Sequence, residues 1–134
     1  MGKNNHSALI ASALLAVSVV LTGCATTEAD IRQEFAPLTG EQLSALITDN
    51  AIQWETDRSR GVAAYAADGS ATVDWGTGDD VGTWRIDGDQ LCSQWKTVRD
   101  GTERCFTVYQ TGENQYRSFY DGKASATWKM VAKQ

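Results

Sequence analysis

The sequence predicts a mainly β domain, an antiparallel up-and-down meander forming a small barrel or a strongly twisted sheet, with one short helix before it. Three observations predict this. From Ala51 onward, short stretches rich in Trp, Tyr, Val and Thr alternate apolar and polar residues, the period of a half-buried strand. Asp-Gly and Gly-Asp pairs punctuate those stretches, the strongest short-range signal for hairpins. Helical periodicity, by contrast, is confined to the segment 37–50.

In that segment Leu43, Leu46 and Ile47 recur at i, i+3 and i+4, which puts them on one helix face. Thr39 is placed to cap the helix, Gln42 three residues on completes a capping box, and Asp49 and Asn50 stop it. Turn signals then fall at 67–70, 87–89, 99–102, 111–114 and 120–123. They predict eight strands near 51–56, 61–67, 70–75, 81–87, 90–97, 104–110, 115–120 and 124–132. A meander this long most simply curls on itself, because closure removes aggregation-prone edges.

The register has a test within the sequence. With Gly88-Asp89 as a two-residue turn, Ile86 faces Leu91 and Trp84 faces Ser93, so Trp84, Ile86, Leu91, Ser93 and Trp95 share one face. Cys92 is opposite in parity to Leu91, and Cys105 to Phe106 on the following strand. Both sulfurs can therefore leave the sheet on the same side, as a disulfide between neighbouring strands requires. Parity alone does not tell which face is the interior.

Upstream, Lys3 precedes an uncharged run from Ala8 to Leu21, the layout of a signal peptide. The run falls short of the roughly 20 apolar residues a membrane span needs, so a transmembrane helix is the weaker reading. It ends in Leu21-Thr22-Gly23-Cys24, which resembles the lipobox of bacterial lipoproteins. The resemblance implies a diacylglycerol thioether on Cys24, cleavage after Gly23 and N-acylation (palmitate-type) of the new terminus. Several acyl chains make a stable anchor where one is marginal. Ala25 rather than Asp after the cysteine implies the outer membrane, with the domain facing the periplasm. The alternative is a secreted protein cleaved elsewhere, for which Cys24 is a spare thiol. The expected organisation is a signal peptide over 1–23, a lipidated N-terminus and tether over 24–37, and a single β-rich domain over 38–134.

Removal of 1–23 takes only Lys3 from the 12 basic residues and leaves all 17 acidic ones, a net charge near −6. Nucleic acid is excluded as a partner, because phosphate binding is built on a basic patch. Five Trp, four Tyr and three Phe supply much of a modest core. In an oxidising compartment the even pair Cys92 and Cys105 invites a disulfide. Closing a loop of about 14 residues, it contributes about 3 kcal/mol in the chain-entropy picture. The sole histidine, His6, lies in the signal segment, and two cysteines do not fill a zinc shell, so no metal is expected.

The stretch from Gly82 to Tyr109 is similar to the core of small exported proteobacterial domains of unknown function. Those share a Gly-x-Trp strand, here Gly82 and Trp84, a Leu-Cys-x-x-Trp strand, here Leu91, Cys92 and Trp95, and a second cysteine, here Cys105, on the next strand. This implies a compartment and a fold but no activity. Gly82-Thr83-Trp84 is also similar to the Gly-x-Trp of lipocalin-like barrels, where it sits on the first strand; here it falls in mid-domain. Lipoprotein inhibitors of lysozyme are similar in architecture, but their Ser-Gly-x-x-Tyr signature is absent.

A histidine-free mature chain offers no Ser-His or Cys-His nucleophile pair and no imidazole base. No Gly-rich loop opens a helix to cradle phosphate. Carboxylates remain, but Asp74, Asp79, Asp80, Asp87 and Asp89 lie near turns, where Asp usually serves its backbone hydrogen bonds. Aromatic residues on strands are usually core, although some can line a pocket. Trp84 and Trp95 are the candidate pocket residues. The sequence therefore points to a non-enzymatic envelope module without cofactor, anchored to the membrane by its lipid and binding a small apolar ligand or an envelope protein. A purely structural or assembly role, or a lysozyme-inhibitor-like one, is the alternative, and a carboxylate-dependent enzyme comes third.

Overall fold

The computed structural model describes residues 26–132 together with Gly2, so the expected lipidation residue Cys24 and, Gly2 apart, the expected signal segment lie outside it. Eight strands follow one another along the chain: β1 Asn50–Glu55, β2 Arg60–Tyr65, β3 Ser70–Asp74, β4 Asp79–Asp87, β5 Gln90–Trp95, β6 Arg104–Gly112, β7 Gln115–Tyr120 and β8 Lys123–Met130. Each pairs antiparallel with the next, and β8 returns to β1 through Trp54 opposite Trp128, closing the barrel. The turns explain the connectivity. At Asp121-Gly122 both central residues are left-handed (φ 49° and 75°), the conformation that matches the twist of a two-residue hairpin. The predicted register of β4 and β5 holds, with Trp84 opposite Ser93 and Ile86 opposite Leu91. Cys92 and Cys105 are direct cross-strand neighbours and form a disulfide, S–S 1.98 Å.

One end of the barrel is plugged by α2, Gly40–Ile47. Thr39 and Gln42 form the capping box, and the Gly40 N–H also donates to Asp89 Oδ1 at 2.8 Å. Leu43 and Ile47 are fully buried against the strand ends. A side chain at position 40 would collide with the Gly88 carbonyl, so the helix start sits directly on the β4–β5 turn.

The structure corrects the tether expected over 24–37. Residues 27–37 lie on the barrel wall, with a second helix, α1, at Glu28–Arg32. Thr27 and Asp30 form its capping box. Ile31 and Phe35 cover Tyr109 and Phe119, which point outward from β6 and β7 yet are buried for that reason. The Tyr109 hydroxyl donates to Glu28 Oε1 at 2.8 Å, and Arg32 pairs with the same oxygen at 2.9 Å. Burial works against the Glu28 charge, but these two hydrogen bonds hold its carboxyl below the ordinary range. The segment enters beside the β7–β8 turn, where Thr27 bridges Lys123 and the Glu28 N–H meets the Gly122 carbonyl at 3.1 Å. It then runs along the wall to Leu38, whose N–H bonds the Val108 carbonyl at 2.8 Å, and so reaches the plugged end.

Candidate ligand-binding cavity

The end of the barrel opposite α2 is open, and a cavity of about 310 Å³ descends from it into the interior. It exists because small residues occupy inward positions: Ala63 on β2, Ser93 on β5, Ser118 on β7 and Ala126 on β8. A barrel of eight strands leaves just enough room for side chains to fill or for one small ligand; these short side chains tip the balance to the second. The walls are aromatic. Trp54, Trp75, Trp95 and Trp128 face the space, with Leu91 and Phe106 between them. The volume falls at the lower end of known ligand sites, which are concave and apolar with a few placed polar groups.

Of the two candidate pocket residues, Trp95 lines the cavity. Trp84 does not, and the expectation is corrected there. It shares the inward face of Trp95, but lower in the barrel, where it meets Tyr65 edge-on at 5.7 Å and donates its indole N–H to the Ala66 carbonyl at 2.8 Å. Parity along a strand decides the face and not which side chain fronts the space: at this depth Tyr65 and Leu91 line the cavity, and Trp84 stands against Tyr65. Trp54, Trp75 and Trp128 take its place; the sequence signal that marks them is their own alternation on β1, at the end of β3 and on β8.

Two polar groups inside this wall were not singled out from the sequence. Tyr65 is buried at the bottom, and that burial pushes its phenol up to about 12, against the pull of the nearby Arg99 charge. Arg99 itself comes from the β5–β6 loop, at the position read as an ordinary Asp-Gly turn. Arg99 and Asp100 are both left-handed (φ 58° and 54°), a conformation costly for residues other than Gly. The loop thereby returns the Arg99 side chain into the barrel, 5.0 Å above the Phe106 ring. Burial, and then repulsion from Arg104, lowers the pKa of its guanidinium. Its Nη1 is buried without a hydrogen-bond partner.

Asp80 holds that loop. Its carboxylate accepts the Thr97 and Val98 N–H groups, both at 2.9 Å, and the Thr97 hydroxyl at 3.0 Å. The Val98 N–H foremost, with the other donors, holds its carboxyl down to about 2. Three of the other acidic candidates serve turns and pairs: Asp74 accepts the Gly76 N–H at 2.7 Å, Asp89 accepts the Gly40 N–H at the start of α2, and Asp87 reaches Arg85 at 3.3 Å, while Asp79 lies opposite Asp74 where β3 meets β4. Asp87 also stands near the sulfurs of Cys92 and Cys105, but the two sulfurs are bonded to each other, leaving a single carboxylate. No protein-family model, curated protein or solved structure matches the chain.

Proposed function

We propose that the chain is a lipid-anchored envelope protein, held by Cys24 on the periplasmic face of the outer membrane, whose barrel binds a small apolar ligand without chemically altering it. The observation that carries this reading is the open-mouthed cavity of about 310 Å³ walled by four tryptophans. A barrel built only to hold another protein gains nothing from an unfilled interior, since each void forfeits packing contacts. The lipobox-like Leu21-Thr22-Gly23-Cys24 and the Cys92–Cys105 disulfide fit an exported, oxidised protein.

The test uses the full chain purified from membranes and stripped of bound lipid. N-Phenyl-1-naphthylamine, a neutral apolar fluorophore, is expected to bind with quenching of tryptophan emission, since four of the five tryptophans line the space. Ala126→Leu, which fills the cavity from β8, should weaken binding by about tenfold or more while the circular dichroism spectrum is kept. Equal binding by wild type and variant, or none by either, would rule the reading out.

A further inference from the structure

We propose that the ligand is an anionic amphiphile, a medium-chain carboxylate whose head group binds Arg99 and the Tyr65 hydroxyl while its chain lies along the tryptophan wall toward the mouth. The proposal rests on the binding reading above and names the class of ligand.

Four observations lead to it. Among the described residues Arg99 is the only charged side chain that lines the cavity, and no carboxylate lies within ion-pair distance of it. Arg32 and Arg85, on the outside, both have acidic partners. Arg99 as a whole is only partly buried, but its Nη1 is shut away from water without an acceptor, and polar atoms so placed are as a rule paired. The Phe106 ring satisfies one face of the guanidinium and leaves the edge with Nη1 unmet.

The second observation is the backbone. Two successive left-handed non-glycine residues put Arg99 where it is, and the Asp80 carboxylate clamps the start of the same loop. Strain at a loop that aims one side chain into a cavity is the pattern of a site and not of a surface turn. Third, Tyr65 lines the same cavity and supplies a hydroxyl donor near the Arg99 charge. A carboxylate has two oxygens to take the guanidinium edge and a phenol together, and in a dry site such charge-assisted bonds are the strong ones.

Fourth is size. The cavity holds the equivalent of about ten waters at the bulk volume per molecule, which suits a single chain of about eight to ten carbons and excludes a two-chain phospholipid. The remaining polar lining is neutral hydroxyl, Ser93 and Ser118 in the interior and Thr56, Ser59 and Ser125 nearer the mouth. None competes with Arg99 for the charge.

The full chain, delipidated, is titrated at pH 7 with decanoate, decanol and decylammonium, each displacing N-phenyl-1-naphthylamine. Wild type is expected to prefer decanoate over decanol by about tenfold or more and to exclude decylammonium. Arg99→Gln should lose about 10- to 100-fold in decanoate affinity, the range for a buried hydrogen bond to a charged group, and a much smaller factor in decanol affinity. Arg99→Lys should keep part of the preference, and Tyr65→Phe, which keeps the ring, should lose a smaller factor for decanoate than Arg99→Gln does. Arg99→Asn, a residue suited to left-handed backbone, repeats the loss if Gln perturbs the loop. Decanol and decanoate bound equally well by wild type, or decanoate bound equally by wild type and both neutral variants, would overturn the charge assignment and leave the binding reading intact. Binding of neither decanol nor the fluorophore would overturn the binding reading itself.

Discussion

Asp80 joins the start of β4 to the loop that carries Arg99. Its carboxylate accepts four hydrogen bonds, from the N–H groups of Val81, Thr97 and Val98 and from the Thr97 hydroxyl. The folded pKa of about 2 lies below the ordinary aspartate value of about 3.9. A depressed folded pKa means that the unfolded state takes up the proton first on acidification. The stabilisation is therefore complete above about pH 4 and is lost as the pH falls toward 2. Glu28, Asp30, Asp68 and Glu103 are shifted in the same direction, so the difference between wild type and Asp80→Asn isolates the one group. The melting temperature of wild type should fall more steeply than that of Asp80→Asn between pH 4 and 2, and the variant should bind decanoate more weakly at pH 7. Parallel melting profiles would show that Asp80 does not hold the loop. At this scale the sequence was informative about chemistry and poor about depth. Asp80 reads as a turn residue and is one in kind, but three of its four bonds come from 17 and 18 positions away, which no local pattern reveals.

The two helices show how far local signals carry. All that makes α2 legible lies within it: the Thr39 and Gln42 box, the Leu43 and Ile47 face, and the left-handed Asp49 (φ 57°) just beyond its end. Its burial follows from the barrel needing a plug. Leu43→Ala should cost about 2–5 kcal/mol and Thr39→Ala about 1 kcal/mol, measured as shifts in the urea midpoint. A loss for Leu43→Ala no larger than that for Thr39→Ala would mean that the helix does not seal the core. Helix α1 has the same kind of cap in Thr27 and Asp30, yet spans five residues and offers only Ile31 to a core, with Phe35 just beyond its end. Too short to show a period, it is fixed by Tyr109 and Phe119, about 80 positions on, which an inward-outward count assigns to solvent. The strands lie between these cases. Their turns and register are local and were legible, and so was the Cys92–Cys105 pairing, because it follows from parity across one hairpin.

The strand count led to a barrel or a strongly twisted sheet without deciding that the sheet closes, as it does, and the interior volume was not legible at all, because it is the small remainder after side chains from every strand are packed. A single exchange at Ala63, Ser93, Ser118 or Ala126 decides more of that remainder than any one of the tryptophans. Function is in this sense a property of the whole ring, and Arg99 acquires its meaning only once the ring leaves space beside it.

The wall-bound N-terminal segment has one further effect. Thr27 is fastened at the same end as the mouth, and only two residues, Ala25 and Thr26, separate it from Cys24, a reach of at most about 11 Å of extended chain. With the proposed acyl anchor at that cysteine, the barrel hangs like a cup with its rim against the leaflet and its sealed base toward the periplasm. A guest then passes between bilayer and interior without crossing bulk water. Hydrogen exchange on proteoliposomes should accordingly slow at the 56–59 turn and leave the 66–69 turn unchanged, and equal rates at both would show a domain free to tumble on its anchor.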